Sequence, residues 1–154
     1  MAQIPLAHPV DSPTGTTLDE RPDRRGHGVT RLPVRHPAFD LQGFREAWER
    51  GDLAYQLACY APDADIRIVD PDHPPSAPRH VCGTSQILSW LLESEERDLD
   101  PEVTHLVDGG DRFAVSQRWH YADGTSVVAV STAELQDALI TTQHTIVTWV
   151  ETPS

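Results

Sequence analysis

Lysine is missing altogether from this chain of 154 residues: its twelve cationic side chains are all arginine, set against 24 aspartates and glutamates for a formal net charge of -12. With no basic field to attract phosphates, nucleic acid is not an expected partner. Cysteine is scarce as well. Cys59 and Cys82 form neither an even multi-cysteine framework nor a CxxC pair, so they read as reduced thiols of a cytoplasmic protein, and no thiolate metal site is indicated. Long apolar runs are also lacking: none approaches the ~20 residues that cross a bilayer, so no membrane partner is expected. The first ten residues carry no basic segment, and Pro5 and Pro9 break their apolar run, so they do not read as a secretory leader.

The length suits one domain with a real core. Residues 1–37 hold six of the thirteen prolines and show no apolar period, which predicts an extended or disordered arm; Val29, Leu32 and Val34 could pin it across a partner or a pocket mouth. A single domain is expected over 38–151. Leu41, Phe44 and Trp48 fall at helical spacing between Asp40, a natural N-cap, and Gly51, a natural stop. A second short helix is expected from Asp52 through Tyr60. Ala64 to Val69 alternates as a strand does, and Pro71 with the proline-rich loop from Asp72 to His80 ends it. Gly83 and Thr84 open a third helix with Ile87, Leu88, Leu91 and Leu92 on one face beside Trp90. Its acidic end, from Glu93 to Asp100, reads as an exit into solvent.

After Pro101 the period switches to two. Val103–Val107, Arg112–Tyr121, Thr125–Leu135 and Leu139–Val150 read as four strands in an antiparallel meander, joined by short turns. Helices grouped first and strands last give an α+β fold, with the helices closing one face of a bent sheet. The concave side of such a sheet is a natural pocket.

This order, together with Gly51-Asp52, Tyr60-Ala61-Pro62-Asp63-Ala64, Asp70-Pro71, Gly83 and Ile87 through Trp90, resembles the nuclear transport factor 2-like superfamily. Its members include ketosteroid isomerases, SnoaL-type polyketide cyclases, scytalone dehydratase and limonene epoxide hydrolase. The resemblance covers residues 40 to 150. It implies a cone-shaped, curved antiparallel sheet roofed by three N-terminal helices, a cystatin-like α+β roll, and a homodimer formed through the sheet. It also places Asp70 at the general-base position of the isomerases. The family's oxyanion-hole tyrosine then falls at Phe44 and its protonated aspartate at Ser131. A phenyl ring cannot donate a hydrogen bond and a serine donates more weakly than a carboxylic acid, so steroid isomerisation by that route is not expected.

Strand alternation puts Ala114, Ser116, Arg118 and His120 on one side and Phe113, Val115, Gln117 and Trp119 on the other. The isomerase-like register turns Arg118 and His120 inward, making Asp70, His120 and Arg118 a catalytic set of acid, base and electrostatic clamp. Tyr60, Trp90, Ser116, Ser131 and Phe44 would then bind substrate. The opposite parity gives an apolar pocket lined by Trp119. His73 and His80 lie in the proline-rich loop at a spacing that matches no ligand pair, so no metal is expected. The leading expectation is a cofactor-independent isomerase, cyclase or dehydratase acting on a small hydrophobic carbonyl compound of polyketide or terpenoid type. A non-catalytic small-molecule-binding or dimeric assembly module is the alternative, with Thr141, Thr142, Gln143, Thr145 and Thr148 facing a sister sheet. A hydrolase with an activated water would need a second acid near Asp70.

Overall fold

The computed structural model describes residues 38–97, 100–121 and 123–150; the arm predicted over 1–37 lies outside them. The first helix, α1 (Leu41–Arg50), begins where the Asp40 carboxylate accepts the Gly43 N–H at 2.9 Å, and it stops at Gly51, whose φ of 67° is the left-handed turn glycine makes cheaply. Helix α2 (Leu53–Ala58) repeats the device, with Asp52 accepting the Tyr55 N–H at 3.0 Å. The two are stapled together. Buried Gln56 donates to the Ala47 carbonyl at 3.0 Å, and the Tyr55 hydroxyl donates to Asp40 at 3.0 Å.

Strand β1 (Tyr60–Val69) starts four residues earlier than the alternation predicts, because a register irregularity between Tyr60 and Asp65 lets the exposed Pro62 sit in the strand without a ladder hydrogen bond. The stretch read as a loop up to His80 holds instead the start of a short edge strand, β2 (Arg79–Cys82), antiparallel to β1. Four residues after a proline run carry too little alternation to announce themselves. Helix α3 (Gly83–Glu95) follows, burying Ile87 and Leu91; of its acidic end, Glu93 does not simply meet solvent but takes a bidentate pair from Arg79 at 2.9 and 3.0 Å.

Strands β3 (Asp100–Asp108), β4 (Arg112–His120), β5 (Ser126–Gln136) and β6 (Leu139–Val150) form the expected meander. The six-stranded sheet runs β2-β1-β6-β5-β4-β3 and is mixed, since β1 lies parallel to β6 while every other pair is antiparallel. It is curved and unclosed, with the three helices over its concave face, in agreement with the α+β cone expected. Among the described residues no helix is long and apolar enough to cross a membrane.

The core lies between helices and sheet. Ile66, Ile87, Leu91 and Ile140 are fully buried there, each contributing about 1.5–3 kcal/mol through burial. Phe44 meets Phe113 edge-on with ring centres 5.3 Å apart, and Trp48 meets Trp90 at 6.1 Å. Burial of Phe113, Val115 and Gln117 fixes the parity of β4. These residues point to the concave side, so Ala114, Ser116, Arg118 and His120 point away from it.

Candidate active site

A cavity of about 300 Å³ opens between α1, α3 and the concave face. All four tryptophans of the chain, Trp48, Trp90, Trp119 and Trp149, line it, together with Phe44 and Tyr121. Tyr121 stacks on Trp149 with ring centres 5.4 Å apart. Pockets that hold small organic molecules have this character: mostly aromatic and apolar walls with a few placed polar groups.

Asp70 is the carboxylate of the wall. In β1 the residues Ala64, Ile66 and Ile68 point inward, and Asp70 is the next in that series, just past the strand's end. The turn that follows folds back on it. The N–H groups of Asp72 and His73 donate to its Oδ1 at 2.9 and 2.8 Å, and the His73 ring nitrogen Nδ1 lies 2.9 Å from the same oxygen. An ionised carboxylate only accepts, so Nδ1 is the nitrogen that carries hydrogen. Partial burial pushes the Asp70 pKa up, but the His73 ring and the two backbone donors outweigh it and hold the carboxyl below the usual aspartate range. All three donors converge on Oδ1. Among the described residues nothing hydrogen-bonds to Oδ2, which is therefore the oxygen free to take a proton.

Charge is confined to the rim, where the Arg79–Glu93 pair, Asp72 and Arg97 stand beside Asp70. The sheet floor is neutral. There the buried Tyr60 hydroxyl donates to Gln143 Oε1 at 2.8 Å, Gln143 Nε2 donates to Thr145 Oγ1 at 3.0 Å, and the Thr145 and Ser131 hydroxyls lie 2.8 Å apart. Burial pushes the Tyr60 phenol far above its ordinary range, so it remains a donor. Trp48 Nε1 is a buried donor without a partner among the described residues.

The cavity brings together Asp70, Phe44, Trp90 and Ser131 from the expected set. Tyr60 stands behind the wall and reaches it through Gln143. Ser116, Arg118 and His120 do not belong to it. They lie on the opposite face of β4, where His120 Nδ1 is 3.1 Å from the Ser126 hydroxyl and its Nε2 is 3.9 Å from exposed Glu102. Turning Arg118 inward would turn Phe113 and Val115 out to water, and the hydrophobic cost decides the parity. Gln143 and Thr145, expected on the outer face, line the cavity instead, because register irregularities near the start of β6 shift its alternation.

Gln117 and His73 escaped sequence reasoning as site residues. For Gln117 the signal was present, since it alternates with Phe113, Val115 and Trp119; for His73 it was a three-residue separation from Asp70 across a turn. Among the described residues no group of three or more His, Cys, Asp or Glu could hold a metal ion.

Comparison with known proteins agrees with this fold. The sequence model of the SnoaL-like domain matches residues 41–143. A protein of unknown function from Mesorhizobium loti, described as NTF2-like, superposes with a TM-score of 0.60 at 20% identity, over 70% of this chain and 86% of that one. A candidate ketosteroid isomerase from Kribbella flavida gives 0.58 at 20% identity, over 73% and 78%. IdmH, a candidate polyketide cyclase from Streptomyces antibioticus, gives 0.51 at 24% identity, over 69% and 87%. No curated protein matches by sequence.

Proposed function

Since the chain belongs to the SnoaL-like domain family of the nuclear transport factor 2-like superfamily, we propose that it is a cofactor-independent enzyme of the isomerase, cyclase or dehydratase kind, with Asp70 as its general base. One observation carries the reading: a carboxylate on the wall of an aromatic cavity has one oxygen held by three donors and the other unclaimed among the described residues. An oriented carboxylate of that kind removes a proton from carbon when the resulting enolate is stabilised nearby. Its lowered pKa keeps it ionised and ready to accept at neutral pH. Six aromatic side chains around about 300 Å³ favour a flat, unsaturated carbonyl compound.

A water-activating hydrolase is less well supported. Glu93, the other carboxylate that could assist, is already committed to Arg79, and Asp72 is exposed. The same proposal includes a homodimer through the convex face of the sheet. Val130 and Ile146, directly paired across β5 and β6, are 48% and 60% exposed there.

The test uses 2-tetralone, an aryl-fused ketone with acidic α-hydrogens, and follows deuterium exchange by NMR. The wild-type protein should accelerate exchange, and Asp70→Asn should cut the acceleration by about 10²–10⁴-fold with its thermal midpoint kept. Exchange at the buffer rate by the wild-type protein, with the ketone bound, would assign a binding module instead.

A further inference from the structure

We propose that the sheet floor carries a two-donor anchor for a carbonyl or enolate oxygen, formed by the Ser131–Thr145 hydroxyl pair and the side-chain amide of Gln117. This deepens the acid–base reading above and rests on it for the identity of the bound group.

Counting hydrogens along the buried relay leads to the anchor. Tyr60 stays protonated and donates to Gln143 Oε1, which settles the orientation of that amide. Gln143 Nε2 therefore gives a hydrogen to Thr145 Oγ1. Thr145 and Ser131, 2.8 Å apart, hold two hydroxyl hydrogens between them. One is used in their mutual bond, whichever of the two donates. The other has no protein acceptor among the described residues, and both side chains line the cavity while buried to 5% and 3% exposure. The relay thus ends in one hydroxyl hydrogen left for a ligand.

Gln117 supplies the second donor. It is 5% exposed, lines the cavity, and its amide pairs with nothing among the described residues. Val115 sits opposite Ser131 and Gln117 opposite Ala129, so Gln117 and Ser131 are diagonal neighbours on the concave face, within reach of a long side chain. Both groups face the open cavity, so a bound molecule that covers them without pairing them would leave an amide and a hydroxyl unmatched, at a cost. A single oxygen with two lone pairs satisfies both, and a hydrocarbon satisfies neither. The donors are neutral and stand on β4, β5 and β6, whereas Asp70 follows β1. The groups that bind an oxygen and the group that removes a proton are therefore separate, so that one can hold the carbonyl oxygen while the other takes the α-hydrogen.

The experiment compares the affinity of 2-tetralone with that of tetralin, the hydrocarbon of the same skeleton, read by quenching of the cavity tryptophans. The wild-type protein should prefer the ketone by about tenfold or more. Gln117→Leu, and separately the double change Ser131→Ala with Thr145→Val, should each bring the preference towards parity while tetralin binds as before. Thr132→Val, on the convex face of β5, should leave it intact. Absence of a ketone preference in the wild-type protein, or its survival in both variants, overturns the anchor. Asp70→Asn separates the two readings: it should abolish exchange and keep the ketone preference, so failure of the base leaves the anchor standing, and the reverse.

Discussion

The two faces of β4 are built from neighbouring residues and have opposite chemistry. Phe113, Val115, Gln117 and Trp119 look into the cone, whereas Ser116, Arg118 and His120 look out. The inner face admits hydrogen-bonding groups only when they are neutral; full charge is kept to the rim, where Asp70 and the Arg79–Glu93 pair still touch water. A strand can hold a site without its most reactive-looking side chains taking part. Burial chooses the face first, and chemistry is made from whatever that face carries.

The largest test of this contrast is a charge placed on each face. Val115→Asp should cost more than about 3 kcal/mol of stability, because an unpaired carboxylate would enter the core, whereas Arg118→Asp should cost no more than about 1 kcal/mol, the share owed to Glu102 directly opposite on β3. Urea denaturation of the two variants decides it, and equal losses would break the comparison. The next effect concerns pH. With its pKa held down, Asp70 contributes stability that is full at neutral pH and is lost as the pH falls through that lowered value. His73→Ala removes one of the donors, so the Asp70 pKa should rise, and both this loss and the acid limb of exchange should move to higher pH. Carbon-13 NMR titration of the Asp70 carboxyl measures it directly; an unmoved pKa would show that His73 only braces the turn.

A smaller effect lies at the hairpin that joins β5 to β6. Asp137 and Ala138 both have positive φ, 52° and 61°, in a two-residue turn that suits glycine at its second position. Ala138→Gly should stabilise by about 1 kcal/mol in thermal or urea unfolding, provided relief of strain exceeds the entropy glycine adds. The smallest effect belongs to the rim. Arg79→Gln should cost less than about 1 kcal/mol, as partly exposed ion pairs do.

Much of the fold was legible because the period of apolar residues switches cleanly between helical and alternating, and settles on alternation after Pro101, and because Asp40, Gly51, Asp52 and Gly83 punctuate the helices. The concave position of Asp70 was legible too, as the next residue in the inward series of β1. What could not be read was set by ladder irregularities and by the closure of a turn. The faces of Gln143 and Thr145 depend on irregularities in the ladders of β6, and the pairing of His73 with Asp70 depends on how a proline-rich turn closes. Arg118 and His120 drew attention by residue type, yet the apolar residues alternating with them already held the answer.

The parallel pairing of β1 with β6 has a consequence in time. Strand β1 carries Ile66, Ile68 and the approach to Asp70, yet its inner neighbour is the last strand of the sheet, more than seventy residues further on. A growing chain can assemble the three helices and the first hairpin long before that neighbour exists, with one edge of β1 unpaired and its apolar side chains uncovered. Closing so distant a contact costs loop entropy before any pairing rewards it, which slows folding. The cavity floor, to which β6 contributes Gln143 and Thr145, is therefore complete only once the last strand stands between β1 and β5.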